Sequence, residues 1–107
     1  MMPRRPKNRV RFTAAIWRHE VGAGWCFVSL PVEESQRIRR VFGDHAVGWG
    51  SLRVRATLGA VEWPTSIFPD SKGGAYVLPI KADVRRRNAV GPGDEVTIDL
   101  VITATDD

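Results

Sequence analysis

Four stretches of this chain carry an apolar residue at every second position. The clearest is Val96, Ile98, Leu100, Ile102. The others are Val10, Phe12, Ala14, Ile16, then Leu52, Val54, Ala56, Leu58, then Tyr76, Leu78, Ile80. A period of two marks a β-strand with one face buried. A chain with several such strands must cover one whole sheet face, by stacking sheets or by closing one on itself. With 107 residues there is room for one domain. The hydrophobic share is 43% and the charged share 26%, enough for a core without disulfides.

The pattern predicts strands over 9–16, 25–30, 52–58, 61–67, 76–80 and 96–102. Pro31 opens a helix over 32–42. Its acids Glu33 and Glu34 lie at the start and Arg39 and Arg40 near the end, as the helix dipole favours. Val32, Ile38, Val41 and Phe42 can share its buried face, Glu33 and Arg37 can pair, and Gly43 can end it. A second short helix spans 83–89, with Asp83 four residues before Arg87. Turns fall at 20–24, 59–60, 69–74 and 91–94, where Gly, Pro and Asp gather. Pro64 inside a strand points to a sheet edge or a bulge. Residues 1–8, with Pro3 and Pro6, read as a disordered basic tail, and 105–107 as a fraying end. The domain proper is then 9–104.

The order is ββαβββαβ: mostly β, about six strands with two short helices. Each helix follows a strand that ends in an aliphatic–proline pair, Leu30-Pro31 or Leu78-Pro79. A glycine-containing connection and a long alternating strand come after each. This reads as an internal two-fold repeat. The halves can bury their apolar faces against each other as a small closed β-barrel within one chain.

The chain has a net charge of +4, and it is unevenly placed. Arg4, Arg5, Lys7, Arg9 and Arg11 crowd the first eleven residues, without acids. Removing those five from the 16 basic residues leaves 11 against 12 acids, so the body is about neutral. Such a tail can bind nucleic acid or an anionic surface, or can simply be solvated. The lone cysteine, Cys26, lies in the apolar run Trp25-Cys26-Phe27-Val28 and reads as a small buried hydrophobe. No apolar stretch is long enough for a transmembrane helix, and no apolar run follows the basic start. The expectation is a cytoplasmic protein with no membrane contact.

Catalytic groups are sparse. His19 and His45 sit in loop-like contexts without metal-ligand spacing, so no metal and no cofactor is expected. Glu33 and Glu34 are adjacent on a helix and diverge. Ser66 has no sequence link to His45 or an aspartate. The four tryptophans say more. Trp63 shares the inward phase of Val61 and reads as core. Trp17 is out of phase with its strand's apolar residues and faces outward. Trp49, between two glycines, sits in a connection. Outward or loop aromatics can line a groove or an interface. Arg53 and Arg55 share a strand face, and Arg85, Arg86 and Arg87 crowd one helix.

The run from Ile80-Lys81-Ala82-Asp83-Val84-Arg85 to Gly93-Asp94 resembles the AbrB/MazE swapped-hairpin motif. Lys81 stands where that motif has proline. Arg53, Arg55, Arg85, Arg86 and Arg87 read first as a solvated surface with local ion pairs; the resemblance implies two alternatives for Arg85, reaching a carboxylate such as Asp94 or a nucleic-acid phosphate. A fuller resemblance covers most of residues 10–102. Phe27-Val28-Ser29-Leu30-Pro31, Gly50-Ser51-Leu52-Arg53-Val54, Trp63-Pro64-Thr65-Ser66-Ile67-Phe68-Pro69 and Tyr76-Val77-Leu78-Pro79 are similar to the family called domain of unknown function nineteen-oh-five. That resemblance implies a double-split β-barrel and no established activity.

The function expected is a non-catalytic binding module for an unknown small molecule or protein, as a monomer or weak homodimer. Its candidate ligand residues are Trp17, Trp49, Trp63, Ser66 and Arg85. The alternative is a nucleic-acid-binding regulator using Arg4, Arg5, Lys7, Arg85, Arg86 and Arg87.

Overall fold

The structure, a computed structural model, describes residues 7–20, 24–70 and 74–104. The expected tail with Arg4 and Arg5, the turn centre at 21–23, the loop tip at 71–73 and the end at 105–107 lie outside the described residues. The elements are β1 (Arg9–Ala15), β2 (Trp17–Arg18), β3 (Cys26–Ser29), α1 (Val32–Phe42), β4 (Leu52–Leu58), β5 (Val61–Pro69), β6 (Tyr76–Pro79), α2 (Ala82–Asn88) and β7 (Glu95–Ile102). The protein is mostly β, and the strands pair in the order β1-β7-β4-β5-β6-β3-β2. The two ends of that order are one length of chain, because β1 runs on into β2. The result is a nearly closed barrel of seven strands with two helices.

The expected first strand is two. At Ile16 the N–H donates to the Asp94 carbonyl, and the Ile16 carbonyl accepts from the Gly93 N–H, at 2.9 and 2.8 Å. Past that point the chain leaves β7 and pairs with β3. The bend divides the alternating run but keeps its phase, so Val10, Phe12 and Ile16 are buried and Trp17 is exposed.

Among the described residues, twenty-three apolar side chains from both halves make one core. Reciprocal hydrogen bonds tie the halves: Leu30 N–H to the Tyr76 carbonyl and Ile80 N–H to the Cys26 carbonyl, both 2.9 Å. The helices begin at Pro31 and Lys81 with nearly equal backbone angles, φ −56°, ψ 144° and φ −57°, ψ 149°. The repeat is therefore present, but the partner of Leu30-Pro31 is Ile80-Lys81 and not Leu78-Pro79.

Helix α1 buries Ser35, Ile38 and Phe42, spaced three and four apart, and leaves Val32 and Val41 exposed. Ser35 belongs there because its hydroxyl accepts the Tyr76 N–H at 2.9 Å. Arg37 pairs with Glu34 at 3.0 Å, not with Glu33. Pro64 lies where only one edge of β5 is strand-paired, since β6 joins β5 at Phe68 and Pro69. Its missing N–H costs nothing there. Lys7 and Asn8, assigned to the tail by the sequence, are held in place. Arg37 donates to the Lys7 carbonyl at 2.7 Å, and Ile102 N–H donates to the Asn8 carbonyl at 2.7 Å. Among the described residues no helix is long and apolar enough to cross a membrane.

Candidate functional site: an aromatic face bordered by cations

Strand register builds this face. In β3, Cys26, Val28 and Leu30 point inward, so Trp25, Phe27 and Ser29 point out. In β6, Tyr76 and Leu78 point inward, so Val77 and Pro79 point out. Trp17 is the partner of Phe27, and Phe27 is the partner of Pro79, giving an outward row Trp17–Phe27–Pro79. Ser29, Val77 and Phe68 form the next row. One step the other way, Lys81, Trp25 and His19 continue the pattern, with the His19 N–H donating to the Trp25 carbonyl at 2.9 Å.

Three rings of this face stack. Trp17 and Phe27 lie 5.0 Å apart at 28°, and Phe27 and Trp25 lie 6.4 Å apart at 18°. His19 sits 6.2 Å from Phe27, edge-on. The Trp17 indole N–H donates to the Ser29 hydroxyl at 3.0 Å, which fixes its ring. Trp25 remains 61% exposed and Trp17 37%. Large rings held in water on paired strands keep their apolar surface available to a partner.

Two open clefts share Trp25, Pro79 and Lys81 as a wall. One, about 280 Å³, reaches Arg85 and the edge of Cys26. The other, about 400 Å³, reaches Arg53, Thr65, Ser66 and Phe68. Arg53 enters because it is the β4 partner of Ser66. Both volumes are near the lower end of small-ligand sites. Among the described residues no group of three or more His, Cys, Asp and Glu could hold a metal ion.

The site residues read from sequence scatter. Ser66 and Arg85 line one cleft each, and Trp17 joins through Phe27. Trp63 faces the core at 5% exposure, so it lines neither cleft, and its indole N–H has no hydrogen-bond partner. Trp49 stands apart from the ring row, 92% exposed, on a turn where its own φ is +64°. Arg85 does not reach Asp94. Its Nε donates to the Ile80 carbonyl at 3.2 Å and a terminal nitrogen to the Gly24 carbonyl at 3.3 Å. Asp94 instead accepts the Gly91 N–H at 2.8 Å. Arg86 pairs with Asp83 at 2.8 Å, and Arg87 approaches the same carboxylate at 4.0 Å. Arg86 and Arg87 therefore share the Asp83 carboxylate, and Arg85 alone turns to backbone carbonyls. Lys7 is exposed, far along the chain from these three, and its carbonyl is used by Arg37.

Trp25, Phe27, Phe68, Pro79, Lys81 and Arg53 are missing from the sequence-derived set. The signal for them is the outward phase of strands whose inward phase is plain: Trp25 and Phe27 alternate with Cys26 and Val28.

The family described as Domain of unknown function (DUF1905) matches residues 12–100. The chain belongs to this family. The match spans both halves of the repeat, from within β1 to within β7. No curated protein matches the chain. In this DUF1905 domain the ring row and both clefts fall inside the matched residues.

Proposed function

We propose that this DUF1905 domain is a non-catalytic binding module whose outer aromatic face receives a planar ligand. The observation that carries the reading is the stacked row Trp17–Phe27–Trp25 on and beside β2 and β3, exposed at both tryptophans and half-buried at Phe27. A ring laid on Trp25 gains offset stacking and buries apolar area on both partners. Trp17 is already held by its hydrogen bond to Ser29 and stacks on Phe27, so these two rings lose little conformational entropy on binding. The adjoining clefts admit the ligand's substituents.

The test uses two neutral planar probes, indole and adenosine, titrated into the isotope-labelled full chain and followed by NMR. Expected are shifts of the Trp17 and Trp25 indole N–H signals and of Phe27, with Trp49 unmoved. Trp25→Ala should weaken binding by about tenfold. Shifts spread evenly over all exposed tryptophans, or none with either probe, would overturn the reading.

A further inference from the structure

Among the described residues, the charged side chains that line the two clefts beside Trp25 are all basic. Arg53 and Lys81 lie in the cleft with the Thr65 and Ser66 hydroxyls, and Lys81 and Arg85 lie in the other. Among the described residues neither cleft has a carboxylate in its wall. Among the described residues neither Arg53 nor Lys81 has an acidic partner. Arg85 gives its N–H groups to neutral carbonyls, so its charge is held in place without being cancelled. A cleft of similar size on the far side of the barrel, about 410 Å³, makes the contrast. It holds Arg9 and Arg11, but also Glu62 and Asp99, and is balanced. Uncompensated cations around a concave site raise the local concentration of anions.

We infer that the ligand is a planar ring carrying a phosphate-type anion. The ring lies over Trp25, and the anion lies in the cleft of Arg53 and Lys81 with the Thr65 and Ser66 hydroxyls as further donors. Charge-assisted hydrogen bonds from the arginine and lysine supply the added affinity. This ring-and-phosphate chemistry is shared by a free nucleotide and by single-stranded nucleic acid, which binds proteins by aromatic stacking beside a basic groove. The inference rests on the aromatic-face reading above.

The experiment compares adenosine, adenosine 5′-monophosphate, inorganic phosphate and an oligoadenylate, each titrated into the full chain at low salt with the Trp25 indole N–H as the reporter. The monophosphate should bind about fivefold tighter than adenosine, and the advantage should shrink as salt rises. Lys81→Glu and Arg53→Gln should each remove most of that advantage. Arg9→Glu, a charge reversal on the balanced side, should not. Tighter binding of the oligoadenylate than of the monophosphate identifies the source as a strand; equal binding identifies a free nucleotide. Equal affinity for adenosine and its monophosphate overturns this inference and leaves the aromatic reading standing. Inorganic phosphate matching the monophosphate also overturns it, because the ring then adds nothing. No response to adenosine or the monophosphate overturns both.

Discussion

The barrel turns two unlike sides to water. On the outside of β1, β7 and β4, charges answer one another across the strands. Arg11 meets Asp99 through two hydrogen bonds of 2.7 and 3.3 Å, Arg55 on β4 meets Glu62 on β5 at 3.2 Å, and Thr13 meets Thr97 at 2.8 Å. On the outside of β2, β3 and β6 the same alternation brings out Trp17, Trp25, Phe27, Val77 and Pro79. One side carries cross-strand ion pairs and a hydroxyl pair in water. The other exposes rings and leaves neighbouring cations without acids. The strands alternate in the same way on both sides, and the outward residues differ.

Both sides share one core, and that is where the comparison can be broken hardest. Leu78 lies under the aromatic side and Leu100 under the ion-paired side, and both are buried. Leu78→Ala and Leu100→Ala should each cost about 2–5 kcal/mol in a urea titration, from lost burial plus the cavity left behind. Each variant should unfold in a single transition seen alike by tryptophan fluorescence and circular dichroism. A Leu78→Ala protein that loses only the aromatic side, with the β1–β7–β4 amides still protected from exchange, would show two separable units instead of one barrel.

A smaller effect separates two neighbouring arginines on α2. Arg85 is half-buried, and its two hydrogen bonds tie the helix to the end of β6 and to the turn before β3. Arg86 is exposed and meets Asp83 one turn away. Arg85→Met should cost about 1–2 kcal/mol, because two partly buried carbonyls lose their donor. Arg86→Met should cost less than about 0.5 kcal/mol, as for an exposed helical pair. Equal costs in denaturant titrations would mean that Arg85 is as solvated as Arg86 and does not clamp the aromatic side.

Alternation made the barrel readable: strands with a clean inward phase, such as 52–58 and 96–102, appear where the pattern puts them. The first strand was harder, because the bend at Ile16 comes from tertiary hydrogen bonds to 93–94 that no local preference announces. Helix α1 was placed correctly but rotated in its expected burial, since Ser35 outranks Val32 and Val41 by satisfying the Tyr76 N–H. The site was legible only in part. The outward phase of Trp17 is plain in the sequence, whereas that of Trp25 and Phe27 is hidden in an unbroken apolar run around Cys26. Lys81, Arg53 and Ser66 become neighbours of Trp25 through strand pairing, and pairing partners are not written in local sequence. Arg85 followed the motif to Asp94 on paper. In the fold its reach ends at the nearer carbonyls of Ile80 and Gly24.

The smallest effect belongs to the side that needs no ligand. The Arg11 guanidinium is held above its ordinary pKa by the hydrogen bond to Asp99 and by that carboxylate's charge. A cationic group whose pKa is raised on folding contributes stability in full below its unfolded pKa and loses it only as pH rises through the folded value. For an arginine that window lies in strong alkali, so deprotonation of Arg11 adds no slope to stability around neutrality. Both side chains are well exposed, so water and salt screen the pair. A double-mutant cycle with Arg11→Ala and Asp99→Ala should return a coupling below about 1 kcal/mol, fading as salt rises. Neither substitution should alter adenosine or nucleotide binding, since both lie on the opposite side from Trp25. A coupling of several kcal/mol, or a loss of binding at Trp25, would mean that the two sides are not independent surfaces on a common core.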